Sequence, residues 1–170
     1  MLTRLAAWFE SLVHPYPDTA PRIPPRGLLP FIWACTEGMR WHIAAMSLCT
    51  ALIGAFEAVL FGMLGRIVDW LGNTPPARLF IEHSTGLTVL AVVLIASPVV
   101  IALQTMLKHQ SLAGNFPMLL RWNFHRLMLG QSMAFYQDEF AGRVAAKVMQ
   151  SSLAVRDAVF IVTDILVFVA

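Results

Sequence analysis

Two long apolar runs, residues 41–64 and 87–107, constrain this chain more than any other feature. An α-helix rises about 1.5 Å per residue and the hydrocarbon layer of a bilayer is about 30 Å thick, so about 20 apolar residues make one crossing. Both runs reach that length. A third run, residues 158–170, is too short for a crossing and would leave backbone groups unsatisfied in lipid. We therefore expect an all-α membrane protein, of which this chain is the front part.

The basic residues lie mainly on either side of the two long runs, in a chain that is 58% hydrophobic. Only Arg66 and Arg78 lie between the runs. Positively charged flanks stay in the cytoplasm. We therefore expect a multi-pass protein of the inner (plasma) membrane, with a cytoplasmic N-terminus and an outward loop at 65–86. Nucleic acid is not an expected partner, because the basic residues are scattered beside apolar runs. They are Arg4, Arg22, Arg26 and Arg40 before the first run and Lys108, Arg121, Arg126, Arg143, Lys147 and Arg156 after the second.

The segment before the first run divides into three parts. Residues 1–13 have the pattern of a short amphipathic helix, and Glu10 inside their apolar stretch argues against a secretory signal. Six prolines between residues 14 and 30 exclude a continuous helix there, so residues 1–27 are predicted to be a cytoplasmic helix followed by an extended tether. Residues 28–40 are predicted to form an elbow helix along the membrane surface.

A few polar or special residues lie within the predicted spans. Glu57 is costly in a bilayer unless it faces protein or water. It either lines a polar cavity or pairs with another helix and only shapes the bundle. Gln104, near the inner end of the second span, is the other candidate cavity-lining residue. Pro98 is expected to kink that span, and the small residues Gly54, Ala58 and Gly62 would let another helix approach the first span closely.

The sequence contains no cluster that predicts a metal site or a disulfide. Cys35 and Cys49 are the only cysteines, and Cys49 lies inside the first apolar run. Both are interpreted as small, semi-apolar packing residues. No catalytic arrangement is evident either, because Asp138 and Glu139 are adjacent on a predicted turn rather than paired across a site.

Residues 108–157 separate the second and third apolar runs and are predicted to form a helical hairpin in the cytoplasm. One arm carries an apolar stripe at spacings of three and four, and the other carries a second stripe. The stripes are Leu120, Phe124, Leu127 and Met128, followed by Val144, Val148, Val155 and Val159. A turn-like stretch at 132–142 lies between them. Each arm would continue a span, so the tip of the hairpin would lie far from lipid and contact a soluble partner.

This hairpin resembles the first intracellular loop of ATP-binding cassette (ABC) exporters. The residues that match in order and spacing are Arg121, His125, Phe135, Tyr136, Gly142, Lys147, Arg156 and Asp157, and residues 65–69 are similar as well. The resemblance covers residues 28–170. Many members of the family carry an acidic residue about nine positions after the glycine, where this chain has Ser151. The sequence contains no phosphate loop of the GxxxxGK[ST] type.

The resemblance implies the N-terminal portion of a six-helix exporter transmembrane domain with long cytoplasmic helical extensions. In this view, residues 28–40 are the elbow, 41–64 and 87–107 the spans, 65–86 the outer loop, 108–157 the hairpin and 158–170 a truncated third span. The tip would contact a nucleotide-binding domain and transmit its movement to the spans. The residues assigned to this coupling are Phe135, Tyr136, Gln137, Asp138, Glu139, Phe140 and Gly142, although their aromatic rings could instead pack within the hairpin.

For function, the resemblance implies ATP-driven export of a lipid-like or amphipathic substrate by a dimer. Mg-ATP would bind to nucleotide-binding domains outside this chain, so the chain alone is not expected to be an enzyme or to bind a cofactor. An alternative from another class is a non-transporting membrane anchor or adaptor whose hairpin docks a soluble partner. A membrane-embedded enzyme is disfavoured by the lack of a catalytic cluster.

Overall fold

The computed structural model describes residues 2–73, 75–138 and 141–169, and these residues form helices without any strand. The expected all-α fold is therefore confirmed for this part of the chain. The helices are α1 (Leu2–Ser11), α2 (Leu28–Cys35), α3 (Arg40–Asn73), α4 (Pro76–Glu82), α5 (Ser84–Met106), α6 (Asn115–Leu129), α7 (Met133–Asp138) and α8 (Ala141–Val169). A π-helical turn, Leu107–Leu112, joins α5 to α6.

Two continuous helical segments are long and apolar enough to cross a membrane. One is α3, and the other runs from α5 through the π turn into α6. In their most apolar windows only 17% and 6% of the residues are buried. The core helix of a soluble protein would hide most of such a surface from water. The exposed apolar surface therefore supports a membrane protein, as the sequence predicts.

The first predicted span ends later than its apolar pattern suggests. Residues 65–73, predicted to begin a loop, continue α3 without a break. The helix can continue because no proline occurs before Pro75, which lies outside α3 and precedes α4. The outer connection is therefore short and contains the helix α4.

The second span continues into the first arm of the hairpin. α5 stays helical through Pro98, and the irregularity of the arm lies further on, in the π turn. Pro117 occupies the first turn of α6, where a missing backbone N–H costs little. Because Pro117 lies in the first turn of α6, α5 and the first arm can form one nearly continuous helix.

The two arms of the hairpin pack antiparallel. Arg121 Nε donates to Ser152 Oγ at 3.1 Å, and Arg156 donates to the Ala113 carbonyl oxygen at 3.4 Å. Lys108 Nζ then lies 3.0 Å from Asp164. The contacts therefore pair residues of falling number on the first arm, from Arg121 to Lys108, with residues of rising number on the second arm, from Ser152 to Asp164. The two arms therefore lie side by side and antiparallel in the described residues.

The main core lies where the N-terminal segment, the predicted elbow and the hairpin arms meet. Both predicted stripes contribute to it, since Leu120 and Phe124 of one arm and Val155 and Val159 of the other are all buried in the same cluster. Phe116 and Leu112 are fully buried beside them. The remaining buried members are Val13, Cys35, Met39 and Met46. The burial of Val13 shows that the N-terminal segment belongs to the folded unit.

A close contact joins α3 and α5 near the outer connection. The Trp70 ring stacks on His83, with centroids 4.4 Å apart and planes 8° from parallel. The far edge of the same Trp70 ring covers Gly86, and a Cβ atom added there would overlap it. Glycine therefore lets the two helices approach at this position.

We expect Gly86→Ala to lower the free energy of unfolding by about 1–3 kcal/mol, because the added methyl group must displace the Trp70 ring from His83. Thermal unfolding of the purified intact protein would measure the effect. Gly72→Ala is the matched control, since an added Cβ there meets no atom within 4 Å and Gly72 lies outside the small residues assigned to a contact with another helix. It should be neutral or stabilising by about 0.5–1 kcal/mol, as expected for glycine inside a helix. Equal effects of the two substitutions would contradict the proposed overlap.

The third apolar run contains the carboxylate of Asp164, whose charge is neutralised by Lys108 of the π turn. Asp164 pairs with Lys108, and the two side chains are 34% and 25% exposed. Lys108 Nζ also lies 5.6 Å from the centre of the Phe160 ring. The pair fixes α8 to the beginning of the first arm.

Replacing Asp164 with Asn should destabilise the intact protein by about 1–3 kcal/mol, because Lys108 would keep its charge in an apolar setting without a counterion. The swapped pair Lys108→Asp with Asp164→Lys should recover most of this loss in a thermal unfolding assay. Asp157→Asn serves as control, because Asp157 pairs with the neighbouring Arg156 and is 54% exposed. If Asp164→Asn were as mild as Asp157→Asn, the role assigned to the pair would be wrong.

Candidate functional site

The short helix α7 forms the tip of the hairpin. It begins after Ser132, whose hydroxyl and carbonyl oxygens both accept from the backbone N–H of Phe135, at 3.4 and 3.1 Å. A serine at this position satisfies an N–H that the first helical turn leaves free. Ser132 therefore explains why the chain forms a separate helix between the two arms.

The two aromatic residues of α7 have contacts within the hairpin. The Tyr136 hydroxyl donates to the Met128 carbonyl oxygen at 2.5 Å, which ties α7 to the end of α6. Phe135 packs edge-on against Tyr136, with ring centroids 5.4 Å apart. Phe135 is half-buried, whereas Tyr136 is 38% exposed. The hairpin therefore holds both rings in place while Tyr136 stays accessible.

The other residues assigned to coupling are distributed around the tip. Gln137 is exposed in α7, and Gly142 is exposed near the start of α8. Asp138 ends α7, and its side chain lies outside the described part of the structure. Glu139 and Phe140 lie outside the described residues altogether. The described coupling residues thus lie together at one end of the hairpin.

Two large apolar side chains at the tip were not singled out from the sequence. Met133 is 75% exposed at the start of α7, and Leu129 is 69% exposed at the end of α6. Unlike the buried stripe residues of the same arm, they extend away from the hairpin core. An exposed apolar surface on a helical projection is typical of a contact with another protein surface.

The two candidate cavity-lining residues lie in different surroundings. Gln104 donates from Nε2 to Thr50 Oγ1 at 3.5 Å, so it takes part in the packing of α5 on α3. Glu57 is exposed on α3, and no other described residue gives it a hydrogen bond or an ion pair. Gly54 and Gly62 on the same helix face open space. This part of α3 is therefore free for a contact outside this chain.

The proline-rich segment contains no helix between residues 14 and 27, as predicted, but it is docked on the hairpin instead of forming a tether away from it. We call residues 9–22 the N-terminal strap. Its backbone carbonyl groups accept hydrogen bonds from side chains of the π turn and α6. Ser111 donates to Phe9 at 2.7 Å, Asn115 to Glu10 at 2.9 Å, Trp122 to Pro17 at 3.2 Å, and Arg126 to Pro17 and Thr19 at 3.0 and 2.6 Å.

The composition of the strap predicts an extended chain but does not reveal its docking. Prolines exclude a helix and remove backbone donors, but they leave every carbonyl oxygen available as an acceptor. The donors lie on another helix, about a hundred residues further along the chain. Positions 111, 115, 122 and 126 carry hydrogen-bond donors and follow a helical spacing in the sequence. This spacing is the sequence feature that indicates a polar face on the first arm.

Two further contacts hold the end of the strap. Asn123 pairs with the backbone of Arg22 in both directions, since its Oδ1 accepts from the N–H at 3.2 Å and its Nδ2 donates to the carbonyl oxygen at 3.3 Å. The Arg22 guanidinium donates to the Glu37 carboxylate, which links the strap to the turn after α2. This hydrogen bond and the charge of Arg22 hold the pKa of Glu37 below its ordinary value. The ion pair is therefore kept at neutral pH and lost as the pH falls through that lowered pKa.

A cavity of about 440 Å³ lies between the strap, the predicted elbow and α6. Val13, Cys35, Met39 and Leu120, all members of the main core, form an apolar part of its wall. Its polar residues include His14, Asn123, Arg126 and His42. The volume falls in the range of about 300–1,000 Å³ that is usual for small-molecule sites.

Both cysteines are free and buried in this structure, in agreement with their interpretation as packing residues. Cys35 lines the cavity, and burial raises the pKa of its thiol to about 11. The thiol is therefore protonated at neutral pH and is a poor nucleophile and a poor metal ligand. Among the described residues, no group of three metal-binding side chains is present.

We expect Asn123→Ala to release the end of the strap, because it removes both hydrogen bonds to Arg22. Trypsin should then cleave after Arg22 at least about fivefold faster in the intact protein, which corresponds to a loss of about 1 kcal/mol. Quantitative mass spectrometry of the cleaved peptides would measure the rate. Gln131→Ala is the matched control, since Gln131 donates to Leu127 in the preceding turn. Unchanged cleavage in Asn123→Ala would show that Asn123 does not hold the strap.

The comparison with known proteins adds one similarity. The chain is 49% identical over 169 residues to an uncharacterized ABC transporter ATP-binding protein from Haemophilus influenzae. The alignment covers 99% of this chain and 28% of that relative, so the chain spans about a quarter of the relative's length. No family model matches the chain, and no solved structure matches it. The similarity supports a relationship to ABC transporters and a transporter-related role for this chain.

Proposed function

We propose that this chain is part of the transmembrane domain of an ABC exporter, and that its hairpin tip docks on a nucleotide-binding domain. The observation that carries the proposal is the hairpin itself, whose arms continue from apolar helices and end in a short, capped helix with exposed apolar residues. The similarity to an ABC transporter ATP-binding protein supports the same assignment.

The construction of the hairpin suits the transmission of force. Antiparallel contacts from Arg121–Ser152 to Lys108–Asp164 run along most of its length. The bond from Tyr136 to Met128 fixes α7 relative to α6. A movement imposed on α7 would therefore displace the arms and the apolar helices that continue from them, rather than bend a flexible loop.

The finer parts of the proposal rest on the resemblance. They are a dimeric protein in the inner membrane, a cytoplasmic N-terminus and hairpin, and export of a lipid-like or amphipathic substrate. Mg-ATP would bind to nucleotide-binding domains outside this chain, because the sequence contains no phosphate loop. Glu57, exposed on α3, is the residue of this chain that we assign to the transport pathway or to a contact with a further span.

Site-specific cross-linking tests the docking of the tip. In the purified intact protein, a cysteine introduced at the exposed Gln137 should cross-link to the nucleotide-binding domain through a short thiol-to-amine reagent. Adding Met133→Glu should lower the yield at least fivefold, because the carboxylate would have to be desolvated in an apolar contact. Met149→Glu is the matched control, since Met149 is 49% exposed but lies on the second arm.

The products distinguish the proposal from its alternative. Cross-links to a nucleotide-binding domain that are weakened by Met133→Glu and not by Met149→Glu support the exporter. Cross-links that stay within the hairpin would contradict docking at the tip. Cross-links to a separate soluble protein in intact cells would favour the anchor or adaptor instead. In the exporter, Phe135→Ala with Tyr136→Ala should also uncouple ATP turnover from transport.

A further inference from the structure

We propose that the cavity beneath the N-terminal strap binds a single-chain anionic amphiphile, either a fatty acid or a lysophospholipid. The inference rests on the proposed function in one respect, namely that this region lies at the cytoplasmic surface of the membrane. The strap, α2 and α6 would enclose the ligand. The site is separate from both the hairpin tip and the exposed Glu57.

The apolar part of the wall is suited to an alkyl chain. Val13, Cys35, Met39 and Leu120 belong at once to the cavity wall and to the main core. Their side chains are held by packing, so the wall is preformed. A volume of about 440 Å³ suits one alkyl chain better than a phospholipid with two chains. This limit on size is why we infer a single-chain ligand.

Arg126 supplies a positive charge without a carboxylate partner. Its guanidinium donates to two strap carbonyl oxygens, and it lies 5.9 Å from the centre of the Trp122 ring. No described carboxylate forms an ion pair with it. Arg22, the other arginine of the wall, is already paired with Glu37. A partly buried cation that only dipoles compensate favours an anionic group nearby.

His42 offers a second polar contact. Its Nδ1 atom is buried, and no described residue gives it a hydrogen bond. His42 belongs to the cavity wall, at the start of α3. A buried ring nitrogen without a partner costs free energy unless a ligand or water satisfies it. The headgroup of an amphiphile, with several oxygen atoms, can bond to a histidine as well as to an arginine.

The position of the cavity places it near a supply of such molecules. The elbow helix α2 leaves Leu28, Leu29 and Trp33 between 65% and 78% exposed, as expected for a helix on a membrane surface. The end of the same helix contributes Ala34 and Cys35 to the wall. Ile23, which follows the strap and also lines the cavity, is 84% exposed. A single-chain lipid could pass from the bilayer surface into the cavity along this apolar path.

Photolabelling in the intact protein tests the proposal. The probe is a long-chain fatty acid with a photoreactive diazirine in its chain, and a lysophosphatidylglycerol with the same chain forms a second arm. Mass spectrometry should find labelled peptides from the strap, α2 and the middle of α6. Preferential labelling by one probe would identify that lipid as the ligand. Labelling distributed only over the exposed faces of α3 and α5 with both probes would overturn the proposal.

Two substitutions with matched controls localise the ligand. Ala34→Phe fills the cavity and should lower labelling of these peptides at least fivefold, whereas Ala44→Phe, on an exposed position of α3 outside the wall, should not. Arg126→Gln should lower the labelling of these peptides to a similar extent. Arg126→Lys should restore much of the labelling, because it returns the positive charge. Labelling that is unaffected by Ala34→Phe would contradict the assigned cavity.

A measurement on the unaltered sequence avoids any effect of substitution on folding. An excess of the fatty acid without its diazirine should compete with the photoreactive probe and lower labelling of the strap, α2 and α6 peptides at least threefold. Labelled peptides from the exposed part of α3, which is not in the wall, serve as the internal control in the same peptide map. Absence of competition by both lipids would overturn the inference. Because tip cross-linking is measured independently, that result would leave the proposed function standing.

Discussion

The antiparallel pairing of α6 with α8 organises the described part of this chain. Each arm brings one apolar stripe, and the stripes bury each other around Phe116, Phe124 and Val155. Polar contacts flank this seam from Arg121–Ser152 to Lys108–Asp164. Because the arms are continuous with apolar helices, the seam also fixes how those helices leave the hairpin. Helix packing of this kind stabilises a projection that neither arm could maintain alone.

The strap adds a second layer to the same seam. Side chains of the π turn and α6 that face away from α8 are not left to solvent, since they bind the carbonyl groups of residues 9–22. The first arm is thereby held on two sides, by α8 and by the N-terminal segment. The proposed transmission of movement from a docked partner would need this stiffness. The same layer encloses the cavity, so the state of the cavity and the stiffness of the arm are physically connected.

The apolar helices show the opposite character. In α3 and in the segment that begins with α5, most of the apolar surface faces outward. Glu57 is exposed, and a Cβ added at Gly54 or Gly62 would meet no atom of the described residues within 4 Å. Lipid and further spans would cover such a surface in a transporter. The contrast between a well-packed hairpin and poorly covered apolar helices agrees with a chain that represents a small share of its relative's length.

Local periodicity and the length of a bilayer crossing are enough to predict the helical fold, the two apolar runs and the two stripes of the hairpin. The sequence also indicates that Cys35 and Cys49 are packing residues. The location of the proline-rich segment, the end of α3 and the partner of Asp164 become apparent only in the folded chain. They escape sequence patterns because the contacting residues are far apart along the chain. The strap binds donors about a hundred residues away, and Lys108 meets a carboxylate on another helix, so no local pattern contains either contact.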